Sequence, residues 1–223
     1  MKKGSLNVMA VLLLLSTAAF AQKKDFSIAI IPDTQYYTEE SRGGKNAFFV
    51  AQTEWIVANQ EKENIAYVIH VGDVVDKGDS KPEQWVNAKN AMYVLENPLP
   101  GMPYGVPYGV AVGNHDQSPS QFALTGNTFH FNKYFGVDHF QGRPYYGGHF
   151  GKDNDCHYDL FSASGTDFIV IYIEYDSYDT FPCTQIIVFP KNKRFLDTPI
   201  QCQKLAQVIS TFIQIRKRVS FFL

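Results

Sequence analysis

The sequence has few cysteines, little net charge and no apolar segment long enough to span a bilayer comfortably. Cys156, Cys183 and Cys202 can form one disulfide at most, so cystines do not hold the fold together. The net charge of −2 gives no sign of a nucleic-acid partner or of attraction to an anionic membrane surface. No glycine-rich nucleotide-binding fingerprint follows the first predicted strand. Function must therefore be sought in particular side chains.

The first 21 residues have the pattern of a secretory signal peptide. Two lysines precede an apolar stretch from Val8 to Leu15, and small residues end the segment at Ala19 and Ala21. The stretch is shorter than the roughly 20 residues that a membrane-spanning helix needs. We expect cleavage after Ala21, export to the periplasm or the medium, and no membrane association after cleavage. The alternative is an uncleaved N-terminal anchor.

Charge is distributed unevenly along the rest of the chain. Residues 1–190 contain 13 Lys and Arg against 21 Asp and Glu, whereas residues 191–223 contain seven basic residues and the single acid Asp197. We therefore predict one domain over residues 22–188 and a divergent basic tail over residues 189–223.

Alternating apolar segments predict an α/β fold with a parallel sheet. Strands are predicted at residues 26–31, 65–71, 108–112 and 168–173. Helices are predicted at residues 46–60 and 82–95, the first from apolar residues near helical spacing: Phe48, Ala51, Trp55 and Val57 or Ala58. Strand, helix, strand, helix, strand is the order of a parallel sheet, which binds ligands beyond the carboxyl ends of its strands.

Polar side chains follow each of the first three strands, where that rule places a binding site. The three groups are Asp33 and Gln35, then Asp73 and Asp76, then Asn114, His115 and Asp116. Each group alone is common in turns. Together they would meet over one edge of the sheet, because the carboxyl ends of parallel strands lie side by side.

The chemistry of these groups favours divalent metal ions. Carboxylate and amide oxygens suit hard or intermediate cations, and Asp73 can bridge two ions with its two oxygens. Two ions about 3.5–4 Å apart lower the pKa of a shared water and orient the hydroxide for attack on phosphorus. His115 can then donate a proton to the departing alkoxide while Asp116 holds its ring. The set predicts hydrolysis of a phosphate ester by a metal-activated hydroxide.

The ordered motifs PDTQ, GDVVD and GNHD resemble those of the calcineurin-like metallophosphoesterase superfamily, over roughly residues 26–176. The stretches NIAYVIHVGDVVDKGD, VPYGVAVGNHD and FNKYFGVDHFQGRPYYGGHFG look like an exported bacterial branch. The resemblance implies a phosphomonoesterase or phosphodiesterase with two divalent ions (Mn, Fe, Mg or Zn) and a four-layer α/β/β/α sandwich. It further implies the residue roles: Asp33 and Gln35 bind the first ion, Asp73 bridges, Asn114 binds the second, and His115 is the acid.

Two features depart from the superfamily pattern. Gln35 stands where most members have histidine, which replaces an imidazole nitrogen by a neutral amide oxygen. The later histidine and the Gly-His-x-His block are missing, because the last histidine of the chain is His157. We therefore expect a fold that is incomplete at a truncated or frame-altered C-terminus, and an inactive chain is one consequence. The alternative is a native helical tail with its apolar residues at helical spacing: Leu205, Val208, Ile209, Phe212 and Ile213.

A different class of function fits the aromatic-rich region 129–150. A non-catalytic pseudoenzyme or binding module would use these side chains to dock a glycan, a peptide or a protein. Binding of that kind would be indifferent to chelators and to substitution of Asp33 or Asp73. The sequence specifies neither the ester, nor the metals, nor an oligomeric state.

Overall fold

The computed structural model describes residues 25–119, 127–175, 185–190 and 220–222. The predicted signal peptide, residues 1–21, and most of the predicted tail lie outside these ranges. None of the helices within them is long and apolar enough to cross a membrane.

Four strands form a parallel sheet in the order β3-β2-β1-β8. They are β1 (Ser27–Ile31), β2 (Ile65–His70), β3 (Tyr108–Val110) and β8 (Ser220–Phe222). Strands covered on both faces are apolar along their whole length, and in β2 every side chain except Ala66 is buried. The predicted parallel sheet is confirmed, although β3 ends at Val110, two residues before the predicted end.

The described helices are short, apart from two that connect strands of the parallel sheet. They are α1 (Gln35–Thr38), α2 (Asn46–Asn59), α3 (Glu83–Met92), α4 (Phe129–Phe135) and α5 (Val137–Phe140). The two predicted helices are confirmed as α2 and α3. The second ends earlier than predicted because the chain tightens into a 3₁₀ turn at Tyr93–Glu96.

Helix α2 does not bury the apolar residues whose spacing predicts it. Phe49, Thr53 and Ile56 face the core, whereas Phe48 and Trp55 lie on the outer side and are 52% and 53% exposed. The helix is apolar on almost every side, so helical spacing alone does not specify which face is buried. Thr53 fits the interior because its hydroxyl donates to the Ala91 carbonyl of α3 at 2.8 Å.

A second, antiparallel sheet packs face to face on the first. Its strands are β4 (Tyr146–His149), β5 (His157–Ala163), β6 (Thr166–Ile173) and β7 (Gln185–Pro190), in that order. Between the sheets, Tyr67 of β2 stacks on Phe161 of β5 with ring centroids 5.0 Å apart. Between helix and parallel sheet, the ring centroids of Phe49 in α2 and His70 in β2 lie 5.7 Å apart. Helices, parallel sheet and antiparallel sheet form three successive layers, consistent with the calcineurin-like fold, of the four that the resemblance implies.

A buried polar cluster lies between the two sheets. The Tyr67 hydroxyl donates to the Asp159 carboxyl group and lies 3.1 Å from the Tyr172 hydroxyl. A Cβ at position 109 would lie 2.6 Å from Asp159 Oδ2, so Gly109 leaves room for the carboxyl group. Burial raises the pKa of Asp159 to about 8, against the hydrogen bond from Tyr67, which lowers it. Asp159 is therefore protonated in the folded protein at neutral pH.

We predict that Asp159 makes the protein less stable as the pH rises from 6.5 to 8. An aspartic acid has a pKa near 3.9 when unfolded, so Asp159 takes up a proton on folding, and this uptake becomes less favourable up to pH 8. Burial lowers the pKa of His70 to about 3 and of His157 to about 4, so these groups act mainly below pH 6.5.

Urea unfolding of wild type and Asp159→Asn at the two pH values checks this prediction. Wild type should lose about 2 kcal/mol more than the variant over this interval, since one pKa unit corresponds to about 1.4 kcal/mol. Asp167→Asn, on an exposed residue of β6, is the matched control and should follow wild type. Equal losses in wild type and Asp159→Asn would contradict the prediction.

Candidate active site

The three polar groups predicted from the sequence lie on loops at the carboxyl ends of β1, β2 and β3. Asp73 contacts both of the other loops. Its backbone carbonyl accepts from the Thr34 N–H at 3.1 Å, and its carboxylate accepts from the His115 N–H at 3.0 Å. The loop after β2 therefore lies between the other two, and Asp73 contacts both of them.

The backbone around Asp73 is strained and tightly packed. Asp73 has a φ of 49° and Gly72 a φ of 105°, both in the left-handed region. A Cβ at position 113 would lie 2.1 Å from Asp73 Oδ1, so the loop after β3 can approach only through a glycine. A non-glycine residue in this region costs about 1–3 kcal/mol and is common at functional sites.

Negative charge accumulates around Asp73. Burial raises the pKa of the Asp73 carboxyl group, and the nearby carboxylates of Asp33 and Asp76 raise it further, against the N–H and the ring of His115. Asp33 and Asp73 are therefore close enough for their charges to interact. A divalent cation placed between them would relieve this repulsion.

Gln35 contributes a polar atom that has no partner. The residue begins α1 and is 8% exposed, and its side-chain oxygen Oε1 is buried without a hydrogen bond. An unpaired buried acceptor costs about 1–3 kcal/mol, so such an atom calls for a ligand. Asn114 is half-buried, and its neighbour His115 contacts Asp73 through the backbone.

The donor set fits one oxygen-coordinated divalent ion better than two. Asp33, Gln35 and Asp73 offer three oxygens to the first ion, whereas Asp73 and Asn114 alone would serve the second. Within the described residues, no three His, Cys, Asp or Glu side chains form a group that could hold a metal.

Asp76, and not Asp116, holds the ring of His115. The Nδ1 atom of His115 lies 3.2 Å from both the Asp76 carboxylate and the Asp76 backbone carbonyl. The assignment of this role to Asp116 is wrong, although the two residues are adjacent in sequence. Asp76 stands three residues after Asp73 in the GDVVD motif, and that motif was the available signal.

Asp116 instead links the loops after β2 and β3 through hydrogen bonds to their backbone. It is 3% exposed, and its carboxylate accepts from the backbone N–H groups of Val74 at 2.8 Å, Val75 at 3.2 Å and Gly113 at 2.9 Å. Burial and the charge of Asp73 raise the pKa of Asp116, against these three donors. Its contacts give it a structural part in the site.

Two threonines, which sequence reasoning missed, fix the loop after β1. Thr34 Oγ1 donates to the Val74 carbonyl at 3.1 Å and lies 3.0 Å from Nε2 of His70, while Thr38 Oγ1 donates to the same carbonyl at 3.0 Å. Both threonines are fully buried. No sequence motif marks them, because their partners are 36 and 40 residues away.

The end of β6 also reaches this edge of the parallel sheet. The Tyr175 N–H donates to the Val112 carbonyl at 3.0 Å, and Gln117 Nε2 donates to the Tyr175 carbonyl at 2.7 Å. The antiparallel sheet therefore delivers residue 175 to the loop that carries Asn114 and His115. Residues 176–184, which follow it, lie outside the described ranges.

Two of three comparisons with known proteins give a match. The chain is 41% identical over 151 residues to the uncharacterized protein YvnB of Bacillus subtilis (strain 168). The match covers 68% of this chain and 10% of that protein, so the chain spans a small part of this relative's length. No solved structure gives a significant match. A family model described as "Calcineurin-like phosphoesterase" matches residues 26–201, and on that match the chain belongs to the calcineurin-like phosphoesterase family.

Proposed function

We propose that this chain hydrolyses phosphate monoesters or diesters with the help of divalent metal ions. The family suggests metal-dependent phosphoester hydrolysis. The observation that carries the proposal for this chain is the position of Asp73, whose backbone and carboxylate contact the loops after β1 and β3. The charge of Asp33 acts on Asp73, and Gln35, two residues after Asp33, has a buried side-chain oxygen without a hydrogen bond.

The oxygen atoms of Asp33, Gln35 and Asp73 would hold a first divalent ion, whereas a second would have only those of Asp73 and Asn114 among the described residues. Such ions, when bound, neutralise the charge of a phosphate group and lower the pKa of water. The chain's own residues then orient the ester. Because the loops after β1, β2 and β3 are joined through Asp73 and Asp116, their side chains form one preorganised surface for the phosphate.

His115 is the proton donor of this proposal. Its Nδ1 lies 3.2 Å from both the carboxylate and the backbone carbonyl of Asp76, so Nδ1–H donates to Asp76 and Nε2 carries the proton that is transferred. The proton passes from Nε2 to the oxygen of the departing alcohol as the phosphorus–oxygen bond breaks. General acid catalysis of this kind contributes about 10²–10⁴-fold.

The alternative of an aromatic binding module has less support from the structure. In the region 129–150 four of the eight Phe and Tyr side chains are buried in the core, and two more pack against it: Phe131, Phe135, Phe140 and Tyr145, then Tyr134 and Tyr146. Phe129 and Phe150 remain exposed there. Two exposed rings do not form the contiguous apolar surface that a docking site needs.

The metal ligands are tested by Asp73→Asn. The amide can still accept the His115 N–H, so the loops keep their contact, but the negative charge at the bridging position is lost. Hydrolysis of p-nitrophenyl phosphate or bis-p-nitrophenyl phosphate with Mn²⁺ should fall at least about 100-fold. Asp167→Asn, in which an exposed aspartate at the start of β6 is changed, should retain wild-type activity.

Circular dichroism shows whether each of these variants is folded. Chelation by EDTA should abolish the wild-type activity, and Mn²⁺ should restore it. Wild-type hydrolysis that survives EDTA, or a fully active Asp73→Asn variant, would contradict metal-dependent catalysis by this site.

The proton donor is tested by Asp76→Asn, with two esters that differ in leaving group. An alkyl phosphate needs protonation of its leaving oxygen, whereas p-nitrophenolate leaves without it. Because an amide accepts a hydrogen bond from Nδ1 less strongly than a carboxylate does, the His115 ring loses its orientation, and kcat for the alkyl ester should fall about 100-fold. The value for p-nitrophenyl phosphate should change severalfold at most.

The variant His115→Gln lacks the proton donor altogether. Its kcat values for the alkyl phosphate and for p-nitrophenyl phosphate show the effect of losing that donor completely. Equal reductions for both esters in Asp76→Asn would mean that Asp76 acts on the whole site and not through proton donation.

A further inference from the structure

Gln84 lies outside the sequence motifs of the family, and it supports Asp76, the residue that contacts the ring of His115. It lies in the first turn of α3 and is 1% exposed. Its side-chain oxygen Oε1 accepts from the backbone N–H groups of Asp76 and Lys77, both at 2.9 Å. One buried amide therefore binds the segment that carries Asp76.

The segment from residue 74 to 77 is held by side-chain oxygens at every N–H. Asp116 accepts the N–H groups of Val74 and Val75, and Gln84 accepts the next two. The first pair fixes the half of the segment next to Asp73. The second pair fixes the half whose carbonyl and carboxylate contact the ring of His115.

Helix α3 is a rigid support for this contact. Trp85, Ala88 and Ala91 of the helix are fully buried. The loop also packs directly on the helix, because a Cβ at position 78 would lie 2.0 Å from Trp85 Nε1. Functional groups supported by a packed helix are held more accurately than groups on loops alone.

We propose that Gln84 is a positioning residue for proton donation by His115. This inference rests on the function proposed above. Without the Gln84 oxygen, the N–H groups of Asp76 and Lys77 lose their acceptor, and the segment must turn toward water to satisfy them. Asp76 then moves away from Nδ1 of His115, and the ring loses the contact that orients it.

The test compares Gln84→Met with Gln60→Met. Methionine has a similar length and no strong acceptor. Gln60 provides a matched control because its amide also bonds the backbone, at the Ile65 carbonyl, but at the start of β2 and thus at the opposite end of the strand from Asp73. Gln84→Met should lower kcat for an alkyl phosphate about tenfold or more, and for p-nitrophenyl phosphate less than threefold, as befits partial loss of general acid catalysis. Gln60→Met should leave the ratio of the two values unchanged.

Two further variants separate positioning from folding. Gln84→Glu keeps an oxygen in reach of both N–H groups and should restore most of the alkyl phosphate activity. Gln84→Asn is one methylene shorter and should lower it, which provides the comparison if Gln84→Met does not fold. Equal loss in Gln84→Glu and Gln84→Asn, or an unchanged ratio in every Gln84 variant, would overturn the proposal.

A second measurement uses the protein without metal or substrate. In protein labelled with ¹⁵N-histidine, the ring resonances of His115 are identified by their loss in His115→Gln. Gln84→Met should shift the Nδ1 resonance toward that of a solvent-exposed ring, and Gln60→Met should not. An unshifted Nδ1 resonance in Gln84→Met would overturn the positioning role even if the wild type hydrolyses no ester, whereas a wild type inactive with Mn²⁺ would count against the proposed function alone.

Discussion

The arrangement of the site depends on the contacts of Asp73. Its carbonyl accepts a hydrogen bond from the loop after β1, and its carboxylate accepts one from the loop after β3. The ends of three strands are therefore linked through one residue. The φ of 49° makes both contacts available, since it turns the side chain toward Gly113 immediately after β2 ends. The strain of this conformation, about 1–3 kcal/mol, is offset by hydrogen bonds from both neighbouring loops. A regular extension of β2 could not bring these groups together.

The sequence predicted the strands and the edge where the site lies, because both follow from local patterns. Continuous apolar segments such as that of β2 indicate strands buried on both faces, and the parallel order follows from the helices between them. The sequence predicted helix α2 but not its buried face, since Phe48 and Trp55 are exposed. The helix is apolar on almost every side, so tertiary contacts such as that between Thr53 and Ala91 decide which face is buried.

The difference between local sequence patterns and tertiary contacts also explains why Asp76, and not Asp116, lies beside the ring of His115. Sequence proximity suggested that Asp116 holds the ring of His115, but adjacent residues on a turn point in different directions. Asp116 faces inward to the N–H groups of Val74, Val75 and Gly113, and the carboxylate beside the ring comes from a residue 39 positions earlier. The cluster of Tyr67, Asp159 and Tyr172 was equally out of reach, because it joins strands of two different sheets.

The two halves of the proposed chemistry lie on one short segment. Asp73, at its start, is a proposed metal ligand, and Asp76, three residues later, contacts the ring of His115, the proposed proton donor. The chain between them cannot stretch beyond about 3.3–3.6 Å per residue, so their separation is limited by covalent geometry. Asp116 and Gln84 remove the remaining freedom, since each occupies two successive N–H groups of the segment. In the proposed mechanism, a phosphate held near Asp73 would therefore meet the ring of His115 at a distance that this segment limits.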